Sequence, residues 1–190
     1  MNTVTDSNVP SAAGFTNKNS DNSLVTVVGI ALTGVAMLGP VSANEVDPLF
    51  PAVYEYVTSS NLTSAEEMFD VCLGHPSTQD VYHYHAFVPC ALNKSVAAAE
   101  ACLNNAICDA DPILYGEEAY TSYKSLNPIG IAKDGHIIWG MYNSNGALWG
   151  DCDVDVCNGA TIDGYYGYAA TSFHPYIVGC WGPGNYPTVS

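Results

Sequence analysis

The residues of this chain best placed to do chemistry are the alternating Tyr82-His83-Tyr84-His85. Neighbouring side chains on a β-strand point to opposite faces, so His83 and His85 share one face and Tyr82 and Tyr84 the other. His75 lies just upstream, in Asp70-Val71-Cys72-Leu73-Gly74-His75-Pro76. Neutral imidazole is the commonest metal ligand, and two on one strand face with a third nearby could form a three-ligand site with an open position. Copper or zinc suits such nitrogen ligands. The plain alternative is a half-buried strand whose histidines bond to backbone or to tyrosine hydroxyls.

Other constellations carry less. Asp151-Cys152-Asp153-Val154-Asp155 places oxygens at alternate positions, as a calcium loop does. However, Val156 stands where the turn glycine belongs, and Ala160 to Ile162 offer no closing glutamate. A solvated acidic loop stapled by Cys152–Cys157 is the better expectation there. No serine or cysteine has the context of an activated nucleophile, which needs a base beside it. His136 and His174 are lone histidines beside Asp134 and Pro175, and lone histidines usually serve structure. Trp139, Trp149 and Trp181 could stack on glycans. With no complete catalytic set, a non-enzymatic role is favoured.

Composition bounds the class. The chain has 190 residues, 48% of them hydrophobic and only 12% charged, enough to bury a sizeable core in one domain. Four basic residues face 19 acidic ones, a formal charge of -15. That excludes nucleic acid and anionic membrane as partners, because neither would be neutralised. Divalent cations, glycans or a second protein remain. The apolar run Leu24–Leu38 is 15 residues long and interrupted by Thr26, Gly29, Thr33 and Gly34, too short for a membrane span.

Seven cysteines, Cys72, Cys90, Cys102, Cys108, Cys152, Cys157 and Cys180, include no Cys-x-x-Cys pair. A framework of up to three disulfides is therefore expected rather than a zinc site, with one cysteine left over. That implies an oxidising, extracellular or cell-surface setting. Asn61-Leu62-Thr63 and Asn93-Lys94-Ser95 are glycosylation acceptors suited to the same setting. No basic start followed by an apolar run marks residues 1–23 as a leader.

The elements that must position these residues can be read in order. Residues 1–23 form a polar arm in which Val4, Val9 and Phe15 are the apolar anchors. Such an arm buries little by itself, so it is expected to dock along a sheet edge, on its own domain or on a neighbouring copy. Leu24–Leu38 is rich in β-branched residues and predicts two short strands around a Thr33-Gly34 turn. A single helical turn near Thr63–Met68 and a helix over 94–106 follow from capping and alanine content. Residues 91–128 form a helical connector.

After that connector the sequence echoes itself. Gly29-Ile30-Ala31 and Gly34 return as Gly130-Ile131-Ala132 and Gly135, and Asp70-Val71-Cys72-Leu73-Gly74 as Asp155-Val156-Cys157-Asn158-Gly159. Tyr82-His83-Tyr84-His85 returns as Tyr166-Gly167-Tyr168-Ala169, with tyrosines kept and histidines gone. Two pseudo-repeats, about 24–90 and 129–182, are the reading. The tyrosine face is then architectural in both, and whatever His83 and His85 do, only one repeat does.

These blocks, with Gly74-His75, Pro175-Tyr176 and Gly179-Cys180, resemble the YHYH-domain family over roughly residues 25–182, leaving the arm outside. The resemblance implies a secreted or cell-surface protein of largely unassigned activity. It also implies a second Tyr-His-Tyr-His in the later half, from which Gly167 and Ala169 depart. The fold expected is mainly β, a disulfide-stapled sandwich or barrel of two β units with one helix and an extended arm. The function expected is a structural subunit forming an open, head-to-tail filament, its arm adding to a neighbouring copy. The alternative is a secreted metal-binding protein or metal-dependent enzyme using His75, His83 and His85.

Overall fold

The computed structural model describes residues 27–42, 47–50, 67–77, 80–93 and 101–183. The arm with Val4, Val9 and Phe15 lies outside the described residues, as does Asn61. The expected mainly β, disulfide-stapled class is what forms. The apolar run splits into β1 (Val27–Ala31) and β2 (Ala36–Leu38), turning at Gly34 with φ of 84°. β3 (Gly74–Pro76) and β4 (Tyr82–Tyr84) follow. The later half supplies β5 (Pro128–Ala132), β6 (Ile137–Trp139), β7 (Gly159–Ile162) and β8 (Tyr165–Ala169).

All eight strands join one mixed sheet in the order β3-β4-β2-β1-β5-β6-β8-β7. The order reads alike from both ends, with β1 and β5 antiparallel at the centre and Ile30 opposite Ile131. Hydrogen bonds reciprocate across that centre: Leu32 N donates to Ile129 O and Lys133 N to Val28 O, both at 2.8 Å. Gly29 and Gly130 sit where a Cβ would meet the facing carbonyl of Ile131 at 2.6 Å or Ile30 at 2.7 Å. Only glycine allows the two central strands to approach this closely.

Residues paired across strands share a face, so the registers define rows. On the inner face Gly74–Tyr84–Met37–Gly29 in the first half corresponds to Gly159–Tyr168–Ile138–Gly130 in the second. The other face carries His75–His83–Ala36–Ile30 and then Ile131–Ile137. Its far end holds Ala160 opposite Gly167. The core packs the inner face, with Val28, Met37, Ile129 and Ile138, against Leu73, Phe87, Tyr120, Met141 and Ile177, all of them fully buried or nearly so.

Two features differ from expectation. The helix over 94–106 is not continuous in its described part: Ala101 is extended and bridges Asp70, and Cys102–Asn104 forms one 3-10 turn. Helices α1 (Pro89–Leu92), α2 (Ala106–Ala110) and α3 (Pro112–Ala119) form instead. Caps place α2 and α3: Asn105 Oδ1 accepts from Ile107 N and Cys108 N, and Asp111 Oδ1 from Ile113 N and Leu114 N, with Pro112 in the first turn of α3. The alanine-rich residues 94–100 lie outside the described residues.

The second difference is in the cysteines. The bridges are Cys72–Cys90, Cys102–Cys108 and Cys157–Cys180, and Cys152 is free and exposed. The Cys152–Cys157 staple does not form, because Cys157 is fully buried at the Asp155 turn and meets Cys180 instead. Among the described residues no helix is long and apolar enough to cross a membrane.

Candidate metal centre

The site begins with a turn that the sequence encodes twice. Asp70 Oδ1 accepts from Cys72 N at 2.8 Å and Gly74 N at 3.1 Å, while Tyr82 Oη donates to Asp70 Oδ2 at 2.5 Å. Asp155 does the same for Cys157, Gly159 and Tyr166, each at 2.8 Å. Burial first, and then the bond to Asp70, push the Tyr82 hydroxyl far up, so it stays a neutral donor. Each carboxylate thus locks an edge strand beside its partner. Both Asp155 oxygens thus serve the fold, and Asp153 Oδ2 is held by Gly150 N at 2.8 Å.

Locking β3 against β4 sets His75 opposite His83, and strand alternation brings His85 to the same face. The three rings lie with centroids 4.3 to 5.3 Å apart. One ligand atom from each falls within 4.8 Å of the others. His83 and His85 are almost wholly buried and His75 is half-buried.

The orientation of two rings is fixed from behind. His83 Nδ1 is 2.9 Å from Val81 O, and His85 Nδ1 is 2.7 Å from Gly39 O. A carbonyl accepts only, so both Nδ1 atoms carry hydrogen in the neutral rings. Their Nε2 lone pairs then face each other at 3.0 Å. Two lone pairs at that separation repel each other unless a proton bridges them or an ion set off the line joining them accepts both. Burial pulls His85 down to about 4, although Gly39 O and Glu67 oppose it, and it lowers His83 too, so burial disfavours the protonated rings near neutral pH.

Glu67 completes the cluster, and sequence reading missed it. Its Oε2 is 2.5 Å from His75 Nε2 and 3.6 Å from His85 Nε2. Burial opposes its ionisation, but His75, His85 and His83 together hold the carboxyl below its usual range. Glu67 Oε2 and His75 Nε2 are shut off from solvent and meet each other at 2.5 Å, so the carboxylate and the imidazole are each other's partner. Glu67 lies in irregular chain eight positions before His75, so no periodicity could have singled it out.

The Tyr-His-Tyr-His strand stands at the centre of the one group of three His, Cys, Asp or Glu side chains among the described residues that could hold a metal ion. The YHYH protein family profile matches residues 6–154. This chain belongs to the YHYH protein family. The match starts inside the N-terminal arm, earlier than the motif blocks alone placed it, and ends ahead of β7 and β8. No curated protein matches the chain, and no solved structure does.

The second half of this YHYH protein shows what becomes of the same place without histidine. Register puts Ala160 and Gly167 where His75 and His83 stand, and Ala169 follows Tyr168 as His85 follows Tyr84. A Cβ on Gly167 would meet Trp139 Nε1 at 2.8 Å. Trp149 packs with Ala160 and Ala169, and its Nε1 donates to Gly140 O at 2.9 Å. Two indoles occupy the room that three imidazoles have in the first half.

Of the remaining sequence candidates, Asn93 is half-buried and its amide donates to Ala119 O at 3.4 Å. His136 Nδ1 lies 3.0 Å from Asp134 Oδ2 at the β5–β6 turn, and His174 is exposed; neither joins the cluster.

The metal-free centre should make stability fall with acid. An unfolded His85 titrates near its ordinary 6.5 and the folded one at about 4, so between those values the unfolded chain binds more protons. Stability is whole above pH 6.5 and is lost on descending to 4, on the order of 3 kcal/mol. Glu67, held low when folded, adds loss in the same direction at lower pH. Urea titrations of chelator-treated protein at pH 7 and pH 4.5 check this; equal midpoints would contradict it.

Proposed function

We propose that this YHYH protein is an extracellular metal-binding domain holding one zinc or copper ion between His75, His83 and His85, with Glu67 as fourth ligand. The observation that carries this is the pair of Nε2 lone pairs aimed at each other at 3.0 Å, each ring fixed by a carbonyl behind it. Such backing sets tautomer and orientation in metal-bound imidazole. Three nitrogens and one carboxylate oxygen suit zinc or copper. A four-ligand set without an open position favours a structural role, in which the ion ties β3, β4 and the Glu67 segment together. Three disulfides support an oxidising compartment. Metal analysis after exhaustive dialysis tests the reading, with about one equivalent per chain expected; less than half an equivalent, even after loading with excess zinc or copper, would reject it.

A second reading, self-assembly into a filament, is favoured by a different observation. At the centre of the sheet Ile30, Ile131 and Ile137 lie in one row, each 41–51% exposed. An apolar strip of this kind beside a formal charge of -15 is a surface that needs a cover. The segment ahead of β1, with Val4, Val9 and Phe15, supplied by a neighbouring copy, would give an open head-to-tail contact. Deleting residues 1–22 is expected to convert assemblies to monomers in light scattering; unchanged particle size would remove the reading.

A further inference from the structure

The histidine-free end of the sheet is not merely sealed. Beside Trp149, between the Asn143–Leu148 loop and β7–β8, lies a cleft of about 290 Å³. It is lined by Leu126, Ala160, Ile162 and the nearly buried indole of Trp149, and by the polar Asn143, Asn145 and Thr161. We propose that this cleft binds one ring of a neutral glycan.

The chemistry of the wall selects the ligand. Lysine, arginine and histidine are absent from it while Asp153 and Asp163 line it, so phosphate, sulfate and carboxylate ligands meet repulsion without a counter-charge. A cleft of this size lies at the small end of ligand pockets, near ~300 Å³. A single pyranose matches the size. It also presents both hydroxyls and an apolar C–H face, the combination that amide, hydroxyl and aromatic groups read together.

The polar groups are placed for this and not used up by the fold. Asn143 Oδ1 organises its own loop, accepting from Asn145 N at 2.9 Å and Ala147 N at 3.2 Å, which leaves its Nδ2 as a donor at the wall. Asn145 and Thr161 are exposed, with side chains free of bonds in the described structure. Trp149 is held rigidly by its bond to Gly140 O, so the apolar wall needs no ordering when a ligand arrives. An amine is the rival ligand, but Asp153 Oδ2 is already committed to Gly150 N, leaving Asp163 as the carboxylate with both oxygens available.

Ligand-observed NMR and isothermal titration with methyl glycosides of glucose, galactose, mannose and N-acetylglucosamine test the proposal, with inorganic phosphate and spermidine as contrasts. At least one glycoside should bind saturably and phosphate should not. The Asn145→Ala/Thr161→Val variant, altered only at exposed positions, should weaken that binding about tenfold or more while keeping the parent's melting temperature and metal content. The idea fails if no glycoside saturates, if the variant binds as the parent does, or if spermidine binds in preference to every glycoside. Metal content reports on the other end of the sheet, so the two readings fail independently.

Discussion

Replacing His83 and His85 together by alanine is expected to take bound zinc or copper from about one equivalent per chain to background. Two of three nitrogens go, and a single imidazole with a carboxylate does not hold a divalent ion against dialysis. The same variant should lose the response of stability to metal. An ion that binds only the folded chain stabilises it by about 4 kcal/mol when its free concentration is a thousandfold above Kd. For a chain of this length that is roughly 10 °C in melting temperature. In the parent, adding zinc or copper to chelated protein should produce that rise; in the variant it should produce none. Without metal the two should differ less, because alanine also removes the opposed lone pairs at 3.0 Å. Glu67→Gln keeps three nitrogens and loses the charge, and it should weaken binding roughly tenfold or more. A parent whose melting is indifferent to both ions would remove the metal centre from the account.

Trp149→Ala should be as damaging to stability and silent for metal. The side chain is nearly buried against Ala160 and Ala169, with Leu126, Val154 and Ile162 around it. Truncation opens a cavity among small neighbours that cannot collapse into it, at a cost of about 3–5 kcal/mol. It also strands Gly140 O, which accepts from the indole. Chemical denaturation measures the loss, and metal analysis on the surviving folded fraction should give the parent's stoichiometry. A loss below about 1 kcal/mol would mean the indole is not what fills this end of the sheet. The pair of experiments separates the two ends of one face: one made of imidazole, where the proposed ion would sit, and the other made of indole.

Much of this was legible in the chain itself. Alternation put His83 and His85 together, glycines marked the turns at Gly34 and Gly135, and β-branched content gave β1 and β2. The echo of Asp70–Gly74 in Asp155–Gly159 pointed to two equal turns, and both form with the same hydrogen bonds. The C-terminal part of the expected helix, residues 101–106, is instead set by local caps, because alanine content is a weak preference and the Asn105 and Asp111 side chains decide where backbone donors are satisfied; residues 94–100 lie outside the described residues. The Cys152–Cys157 staple was misread because nearness in sequence does not bring side chains to one side of a turn.

Local pattern, then, determined the strands, their faces and the meeting of three histidines, since period-two alternation and turn chemistry act over a few residues. What only the tertiary structure decided is everything that depends on distant segments meeting. Glu67 arrives beside His75 from irregular chain, Gly39 O stands behind His85 from 46 positions away, and Gly140 O holds Trp149 against Ala160 and Ala169. Those contacts are set by sheet order and strand register, which arise from the packing of the whole core and leave no periodic trace in the sequence.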